Sequence, residues 1–291
     1  MKRRGAAIGT FDGVHRGHKS VLKTLTDLCS LKGLEPVAIT FDRHPLAHID
    51  PSRMPPSLTL LPKKKELLNR NGVMPVVYQF NEDLRCLTAE QWMLKIRDEL
   101  EVDLLVIGYD NTFGCDGINL SLNDYRNLGK KLGIEVVEAP ELKGISSSAI
   151  RKAIRAGHVD KAAEMADRLP SVSGIVVPGN KLGRSLGFPT ANLQAEEGIA
   201  IPGNGVYAAQ AVLPAGERFP AMVNIGTRPT VRRGMDTVIE AHIIGWQGDL
   251  YGKKIKLRFI TRLRDEIRFD SIEDLKRQLE EDRQNTLKKK L

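Results

Sequence analysis

Two histidines three residues apart, His15 and His18, follow a glycine-rich turn near the start of the chain. Each imidazole can donate a hydrogen bond to a phosphate oxygen, and this spacing lets both rings face the same side at the start of a helix. The apolar run 6–8 before the turn predicts a buried strand, and apolar residues recur at helical spacing after it. Backbone N–H groups at such a strand-to-helix turn can bind an anion. The turn therefore predicts a nucleotide-phosphate site with five further candidate contacts: Gly9, Phe11, Asp12, Gly13 and Gly17.

Other interpretations of this histidine pair are two surface side chains or half of a zinc site. The chain has no partner cysteines at metal-binding spacing, and the strand and glycines before the pair favour phosphate. Asp12 can position the turn or a metal ion, and a carboxylate that only caps the turn is an equal alternative.

The composition limits the classes of partner. The chain has 291 residues, enough for two domains, and a formal net charge of +8. Such a charge indicates polyanionic partners, either nucleic acid or nucleoside triphosphates. Only 5% of the residues are aromatic, and no aromatic-rich RNA-binding motif or zinc-finger pattern is present. The charge alone does not choose between these two partners. No apolar run approaches membrane-spanning length, and the three separated cysteines fit reduced thiols, so we expect a cytoplasmic protein without a membrane partner.

Five alternations of strand and helix between residues 6 and 138 predict a doubly wound parallel sheet with helices on both faces. Ligands of such sheets bind where the strands end. His44 follows the strand at 36–41, where it can hold a triphosphate or a flavin or be exposed and idle. Asp110 and Asn111 follow the strand at 103–108. Residues 46–58 lack periodicity and predict a loop.

Three serines, Ser146 to Ser148, open the next predicted helix, with Arg151 one turn later. Their hydroxyl groups can cap the helix or bind phosphate. From Ser171 onward, short β-rich segments separated by Gly, Pro and Asn predict a small antiparallel barrel. Ser271, followed by apolar residues at helical spacing, predicts a C-terminal helix. We predict two domains, 1–168 and 169–291.

Several motifs carry a resemblance to known families. The segment GTFDGVHRGH at 9–18 resembles the flavin branch of the nucleotidyltransferase superfamily, the FAD synthetases. ISSSAIR at 145–151 is similar to that branch's ISSTxIR, with Ser148 in place of threonine. GNKLGRSLGFPTAN at 179–192 resembles riboflavin kinase, and GVY, NIGTRPT, EAH and LRDE follow in that family's order. The two together resemble the bifunctional bacterial riboflavin kinase/FAD synthetase family.

This resemblance implies an α/β plus β fold: a Rossmann-like nucleotidyltransferase domain of the HxGH type, then a kinase barrel with a C-terminal helix. The barrel would transfer the γ-phosphoryl group of ATP to the 5′-hydroxyl of riboflavin. Glu240 matches the family's catalytic base, and an ordinary strand carboxylate is the alternative. Thr190 and Asn192 match its nucleotide and Mg²⁺ contacts. The remaining implied contacts of the barrel are Gly179, Lys181, Gly183 and Arg184 for the nucleotide, and Arg228 and Arg264 for the flavin.

The N-terminal domain would join FMN to the α-phosphorus of ATP and release pyrophosphate. The phosphate of FMN is already ionised, so no general base is needed and catalysis depends on alignment and charge neutralisation. Mg²⁺ would bridge the phosphates. The implied contacts are His15, His18 and Arg151 as catalytic groups, Ser146, Ser147 and Asp110 for the nucleotide, and His44 and Asn111 for the flavin. Asn111 and Thr112 depart from the aromatic or basic residues that the family often has there.

Two other classes of protein remain as alternatives to this family. A different nucleotidyltransferase would share HxGH and lack the PTAN barrel, and a nucleic-acid-binding protein would need neither phosphate constellation. The sequence leaves the oligomeric state open.

Overall fold

The computed structural model describes residues 3–109, 111–179, 183, 186–230 and 234–289, apart from the side chains of 49, 228–230 and 234–236. Packing divides the chain into two units, of which the first ends at Ser147 and the second begins at Ser148. The boundary after residue 168 stays a prediction. Four candidate contacts lie outside the described part: Asp110, Lys181, Arg184 and the side chain of Arg228.

The first unit is built on a five-stranded parallel sheet in the order β3-β2-β1-β4-β5. The strands are β1 (Arg4–Ile8), β2 (Glu35–Phe41), β3 (Met74–Tyr78), β4 (Val102–Ile107) and β5 (Glu135–Glu138). The helices are α1 (Arg16–Lys32), α2 (Leu46–Ile49), α3 (Leu61–Arg70), α4 (Glu82–Cys86), α5 (Ala89–Leu100) and α6 (Leu122–Leu132). The predicted doubly wound parallel sheet is confirmed.

Both faces of this sheet are buried, which explains why its strands are continuously apolar. Ala6 and Ile8 of β1 pack into one hydrophobic cluster, and Ala7 packs into another. The strand order reverses between β1 and β4, since the chain moves from β1 through β2 to β3 on one side and then to β4 on the other. Such a reversal opens a crevice at the carboxyl ends of the strands, where ligands bind.

Residues 46–58, predicted as a loop, contain α2 and a short 3₁₀ turn at Pro51–Arg53. Local side-chain hydrogen bonds form these pieces: Nδ1 of His44 accepts the N–H of Leu46, and the carboxylate of Asp50 accepts the N–H of Ser52. Elements this short have no hydrophobic period, so the pattern could not predict them.

The second unit is a closed barrel of six strands in the order β10-β7-β6-β11-β8-β9, all with antiparallel neighbours. The strands are β6 (Ser171–Val177), β7 (Ala191–Ala195), β8 (Gly205–Val212), β9 (Arg218–Thr230), β10 (Gly234–Ile243) and β11 (Lys254–Arg264). The helices described here are α7 (Ser147–Arg155), which begins at the division, α8 (Val159–Ala166) and α9 (Ile272–Leu287). The predicted barrel and C-terminal helix are confirmed.

Large apolar side chains fill the barrel. The rings of Tyr207 and Phe259 meet edge to face with centroids 5.5 Å apart, and Val159 of α8 joins the same buried cluster. Helix α9 begins at the predicted cap, where Oγ of Ser271 accepts the N–H of Asp274 at 3.1 Å. Among the described residues, no helix is long and apolar enough to cross a membrane.

Candidate active sites

The histidine pair lies where α1 begins, directly after β1. Nδ1 of His15 accepts the N–H of His18 at 3.3 Å, and the two rings stack with centroids 3.7 Å apart. Because Nδ1 of His15 is an acceptor, the neutral ring carries its proton on Nε2, which can then donate to a ligand. The ring of Phe11, which is 2% exposed, meets His18 edge-on at 5.3 Å. The structure therefore brings both imidazoles together, and Phe11 packs against one of them.

The backbone of this turn is strained. Phe11 and Val14 have φ values of 46° and 37°, and Gly13 has 86°. A positive φ at a residue with a side chain costs about 1–3 kcal/mol and persists only where the surroundings hold it. A Cβ added at Gly13 would lie 2.8 Å from Cδ1 of Leu58. The turn thus needs glycine at Gly13 for its φ and for the close approach of the 58–59 segment.

Asp12 binds backbone N–H groups of that segment. Its carboxylate accepts the N–H groups of Leu58 and Thr59 at 3.0 Å, and the N–H of Gly13 donates to Oγ1 of Thr59 at 3.0 Å. These bonds tie the 58–59 segment to the turn, and both interpretations of Asp12, as a cap of the turn or as a group that positions the turn or a metal ion, stay predictions. Ser147 joins the same turn, because its hydroxyl donates to the carbonyl of Asp12 at 2.8 Å.

Other candidate contacts surround the crevice of the sheet. The side-chain amide of Asn111 donates to the carbonyl of Ile8, so the loop after β4 is tied to the end of β1. Gly9 donates its N–H to Ile39 of β2 at 3.0 Å. His44 is half-buried, and its Nδ1 accepts the N–H of Leu46, the first residue of α2, at 3.2 Å. A Cβ at Gly17 would lie 3.2 Å from the ring of His15.

The barrel holds a cavity of about 310 Å³ next to the start of β7. Polar residues from three strands face it, and α9 contributes an apolar wall that the sequence did not predict. Its lining includes Thr190, Asn224, Glu240, Arg264, Leu275 and Leu279, together with Gly183 from the candidate nucleotide loop. Its volume lies within the range of small-molecule sites.

Glu240 is paired with an asparagine on each neighbouring strand. It lies opposite Asn192 of β7 and opposite Asn224 of β9. Residues directly opposite in antiparallel strands have their side chains on the same face. Asn224 was not predicted as an individual contact. A Cβ at Gly179 would lie 2.0 Å from Nδ2 of Asn192, so the backbone before the candidate nucleotide loop passes over this amide.

His242, two residues after Glu240 on the same face of β10, binds the segment before β7. Its Nδ1 lies 2.9 Å from the carbonyl oxygen of Pro189, and its ring meets Phe188 edge-on at 5.3 Å. Burial lowers the pKa of His242 below its ordinary value, and the hydrogen bond to Pro189 partly offsets this. The neutral ring therefore donates from Nδ1 and holds the residue that precedes Thr190.

Arg264 lines the cavity and also binds α9. Its Nε and Nη2 donate to the carboxylate of Asp282 at 2.8–3.1 Å, and Asp282 is 2% exposed. This buried ion pair fixes the helix whose Leu275 and Leu279 form the cavity wall.

A second cavity, of about 560 Å³, also borders the start of β7. It is lined by Pro189, Thr190 and Ala191 and by the segment after β10, which includes Trp246 and Tyr251. Thr190 lines both cavities. The two cavities therefore share the threonine of the PTAN motif as a lining residue.

Comparison with known proteins identifies both units. The FAD synthetase family model matches residues 2–152, and the riboflavin kinase model matches residues 166–290. A bifunctional riboflavin kinase/FMN adenylyltransferase of Pseudomonas fluorescens is 34% identical over 93% of this chain and 88% of its own length. The Bacillus subtilis protein of the same description is 34% identical over 97% and 91%. The chain belongs to the bifunctional riboflavin kinase/FMN adenylyltransferase family. Its FAD synthetase domain is N-terminal and its riboflavin kinase domain is C-terminal, as the motifs predicted.

A solved structure described as a macrolide-efflux protein from Streptococcus pneumoniae also resembles this family member. It superposes with a TM-score of 0.91 at 27% identity, covering 100% of this chain and 96% of that one. The similarity extends over the whole fold. The curated relatives, at higher identity, agree on the two flavin activities.

The kinase unit has oxygen donors that fit a magnesium ion. No group of three or more His, Cys, Asp or Glu side chains in the described part of the chain could hold a metal. Mg²⁺ needs only one or two protein oxygens when phosphates and water complete its shell. Thr190, Asn192 and Glu240 offer such hard oxygens within one small region of the barrel.

Proposed function

We propose that the barrel phosphorylates riboflavin with Glu240 as general base and that the N-terminal unit adenylylates the resulting FMN on the turn containing His15 and His18. Family membership supports the pair of activities and their order along the chain. The observation that carries the residue assignment is the position of Glu240, which lies between two asparagines and lines a cavity that shares Thr190 with a second cavity.

The kinase reaction has an acceptor side and a donor side. Riboflavin fits the Glu240 cavity, where Leu275 and Leu279 provide apolar contact for its ring system. We assign ATP to the neighbouring cavity beside Trp246, with its phosphates toward Thr190, because this threonine lines both cavities. A neutral hydroxyl is a weak nucleophile. Its oxygen attacks the γ-phosphorus, its proton passes to the Glu240 carboxylate, and ADP leaves.

Thr190 and Asn192 would hold Mg²⁺ in this unit, and the ion would neutralise charge on the phosphates. Asn224 and Arg264 face the flavin side of the cavity. Gly179, Lys181, Gly183 and Arg184 belong to the loop that we assign to the nucleotide, and Arg228 to the flavin side. His242 keeps the Pro189 carbonyl in place, which supports the position of Thr190.

The adenylyltransferase reaction needs no base. A phosphate oxygen of FMN attacks the α-phosphorus of ATP, and pyrophosphate leaves. The N–H groups of the turn, Nε2 of His15 and the ring of His18 stabilise the negative charge that develops on the phosphates. Ser146 would add a hydroxyl and Arg151 a cation to the contacts with the phosphates. Asp110 is assigned to the nucleotide, and His44 and Asn111 are assigned to the flavin. Mg²⁺ is the expected ion. We expect the enzyme to act in the cytoplasm without nucleic acid or a membrane partner.

The test is an incubation with riboflavin, ATP and Mg²⁺ in which chromatography resolves the flavins over time. We expect FMN first and FAD later. Glu240→Gln should abolish most FMN formation while FAD is still made from added FMN, and the double change His15→Ala/His18→Ala should have the opposite effect. The retained activity shows that the unchanged unit is intact, and thermal unfolding followed by circular dichroism checks the folding of the changed unit. Loss of both activities from either change in a folded protein would contradict the two-site assignment.

A further inference from the structure

A lysine is buried next to the phosphate-binding turn of the first unit. Lys64 on α3 is 8% exposed and lies on the same helix face as Leu67 and Leu68, which are also buried. Its neighbour Lys65 is exposed. The helical spacing assigns this position to an apolar side chain. Burial of an ammonium group there costs free energy unless each of its protons has a hydrogen-bond acceptor.

The ammonium of Lys64 has an acceptor for each of its three protons. Nζ donates to the carbonyl of Thr10, the hydroxyl of Thr40 and the carbonyl of Phe41, each at 3.0 Å. The hydroxyl of Thr40 in turn donates to the carbonyl of Thr10 at 3.1 Å. Lys64 therefore joins the turn after β1 to the end of β2, at the edge of the sheet where the nucleotide is expected.

Charge also connects Lys64 to the turn. Burial lowers the pKa of its ammonium, and the carboxylates of Asp12 and Asp42 partly offset that effect. Asp12 itself accepts N–H groups from Leu58 and Thr59. A buried cation and a carboxylate thus both bind the backbone around the same turn.

We propose that Lys64 is a positioning residue for adenylyl transfer, holding the carbonyl of Thr10 so that the N–H groups of the following turn keep the geometry that binds the triphosphate of ATP. The inference rests on the proposed adenylyltransferase function of the first unit. The turn needs such support because Phe11 and Val14 have positive φ values that relax when their surroundings do not hold them.

The test is Lys64→Met, which keeps the length of the side chain and removes its charge, with Lys65→Met on the same helix as the matched control. FAD formation from FMN and ATP is measured at steady state, with riboflavin phosphorylation by the same preparation as the internal reference. We expect the KM for ATP to rise at least about tenfold and kcat/KM to fall by up to about 100-fold. The KM for FMN and the kinase rate should stay at wild-type values, as should every parameter of Lys65→Met.

A merely structural role gives a different result. Partial unfolding lowers the apparent kcat and leaves the KM for ATP unchanged, whereas a displaced turn raises that KM. An unchanged KM for ATP in folded Lys64→Met would overturn the inference.

Thr40→Val is the second variant should Lys64→Met fail to fold. Thr40 is fully buried in β2, and valine keeps its shape while removing one acceptor of the ammonium. The KM for ATP should again rise, and an unchanged value would count against Lys64 equally. Wild-type protein that makes no FAD from FMN would instead refute the proposed function, whatever Lys64 does.

Discussion

Asp282→Asn would remove the negative charge from the buried ion pair between α9 and β11. Asp282 accepts hydrogen bonds from Nε and Nη2 of Arg264 at 2.8–3.1 Å and from the amide of Gln278 at 3.2 Å. Asparagine has nearly the same size as aspartate. The packing therefore persists, while the guanidinium of Arg264 remains in place without its counter-charge.

Removal of one partner from a buried ion pair costs about 3–5 kcal/mol of stability. The side chain of Arg264 is 16% exposed, and its Nη1 also donates to the carbonyl of Asp265 at 2.9 Å. Water and this carbonyl partly compensate the charge, so we expect the lower end, about 3 kcal/mol. For a unit of this size, that corresponds to a fall in Tm of roughly 10 °C. Because Leu275 and Leu279 of α9 form one wall of the Glu240 cavity, a displaced helix should also raise the KM for riboflavin.

Thermal unfolding, monitored by circular dichroism, measures the change in stability. The assays of FMN and FAD formation show which of the two units the substitution affects. FAD formation from FMN should keep its wild-type rate, because Asp282 belongs to the second unit. The double variant Arg264→Met/Asp282→Leu leaves no charge buried and should lose less stability than Asp282→Asn. If the double variant were as unstable as the single one, the attribution of the cost to an uncompensated charge would be wrong.

Two further changes test the positioning of each site. His242→Ala should lower kinase kcat by about tenfold because Pro189 loses its donor, and His242→Asn, whose amide can replace Nδ1, should retain more activity. Since burial lowers the pKa of His242, the unfolded chain takes up the proton first, so wild-type stability should fall as pH drops below about 6.5 and fall less in His242→Asn. Gly13→Ala should raise the adenylyltransferase KM for ATP, whereas Gly33→Ala, with φ of 67° and open space around it, should cost stability alone. Equal KM values for these two glycine variants would contradict the close packing of the turn.

The sequence predicted the elements that have strong local signals. Apolar runs followed by turn residues indicated the sheet and the loops at its edge, and the serine before the last helix marked its start. The roles of single side chains could not be predicted in this way, because they depend on contacts between residues that are far apart in the sequence. Asp12 had two equal interpretations because its partners, Leu58 and Thr59, lie more than 40 residues away.

Lys64 and α9 show a second kind of feature that a local sequence pattern predicts only in part. Lys64 is the middle of three consecutive lysines, and only its spacing to Leu67 and Leu68 distinguishes it. That spacing was a usable signal, because it assigns Lys64 to the buried face of α3. In α9, the periodicity predicted a covered face with Ile272, Leu275 and Leu279, but Ile272 is 58% exposed and the two leucines border a cavity, which the spacing could not predict. An amphipathic pattern describes burial, and it carries no information about empty space beyond the helix.

The two units use carboxylates differently, and the ionisation of each acceptor explains why. The hydroxyl of riboflavin carries a proton at neutral pH, and Glu240, which lines the cavity, is the carboxylate that we propose as its acceptor. The phosphate of FMN has already lost its proton, so a carboxylate near it would only add repulsion. Asp12, the acidic residue of the turn, is 6% exposed, bound by backbone N–H groups and attracted to the ammonium of Lys64. We infer that these contacts keep its charge from opposing the phosphates, while its hydrogen bonds fix the turn that binds them.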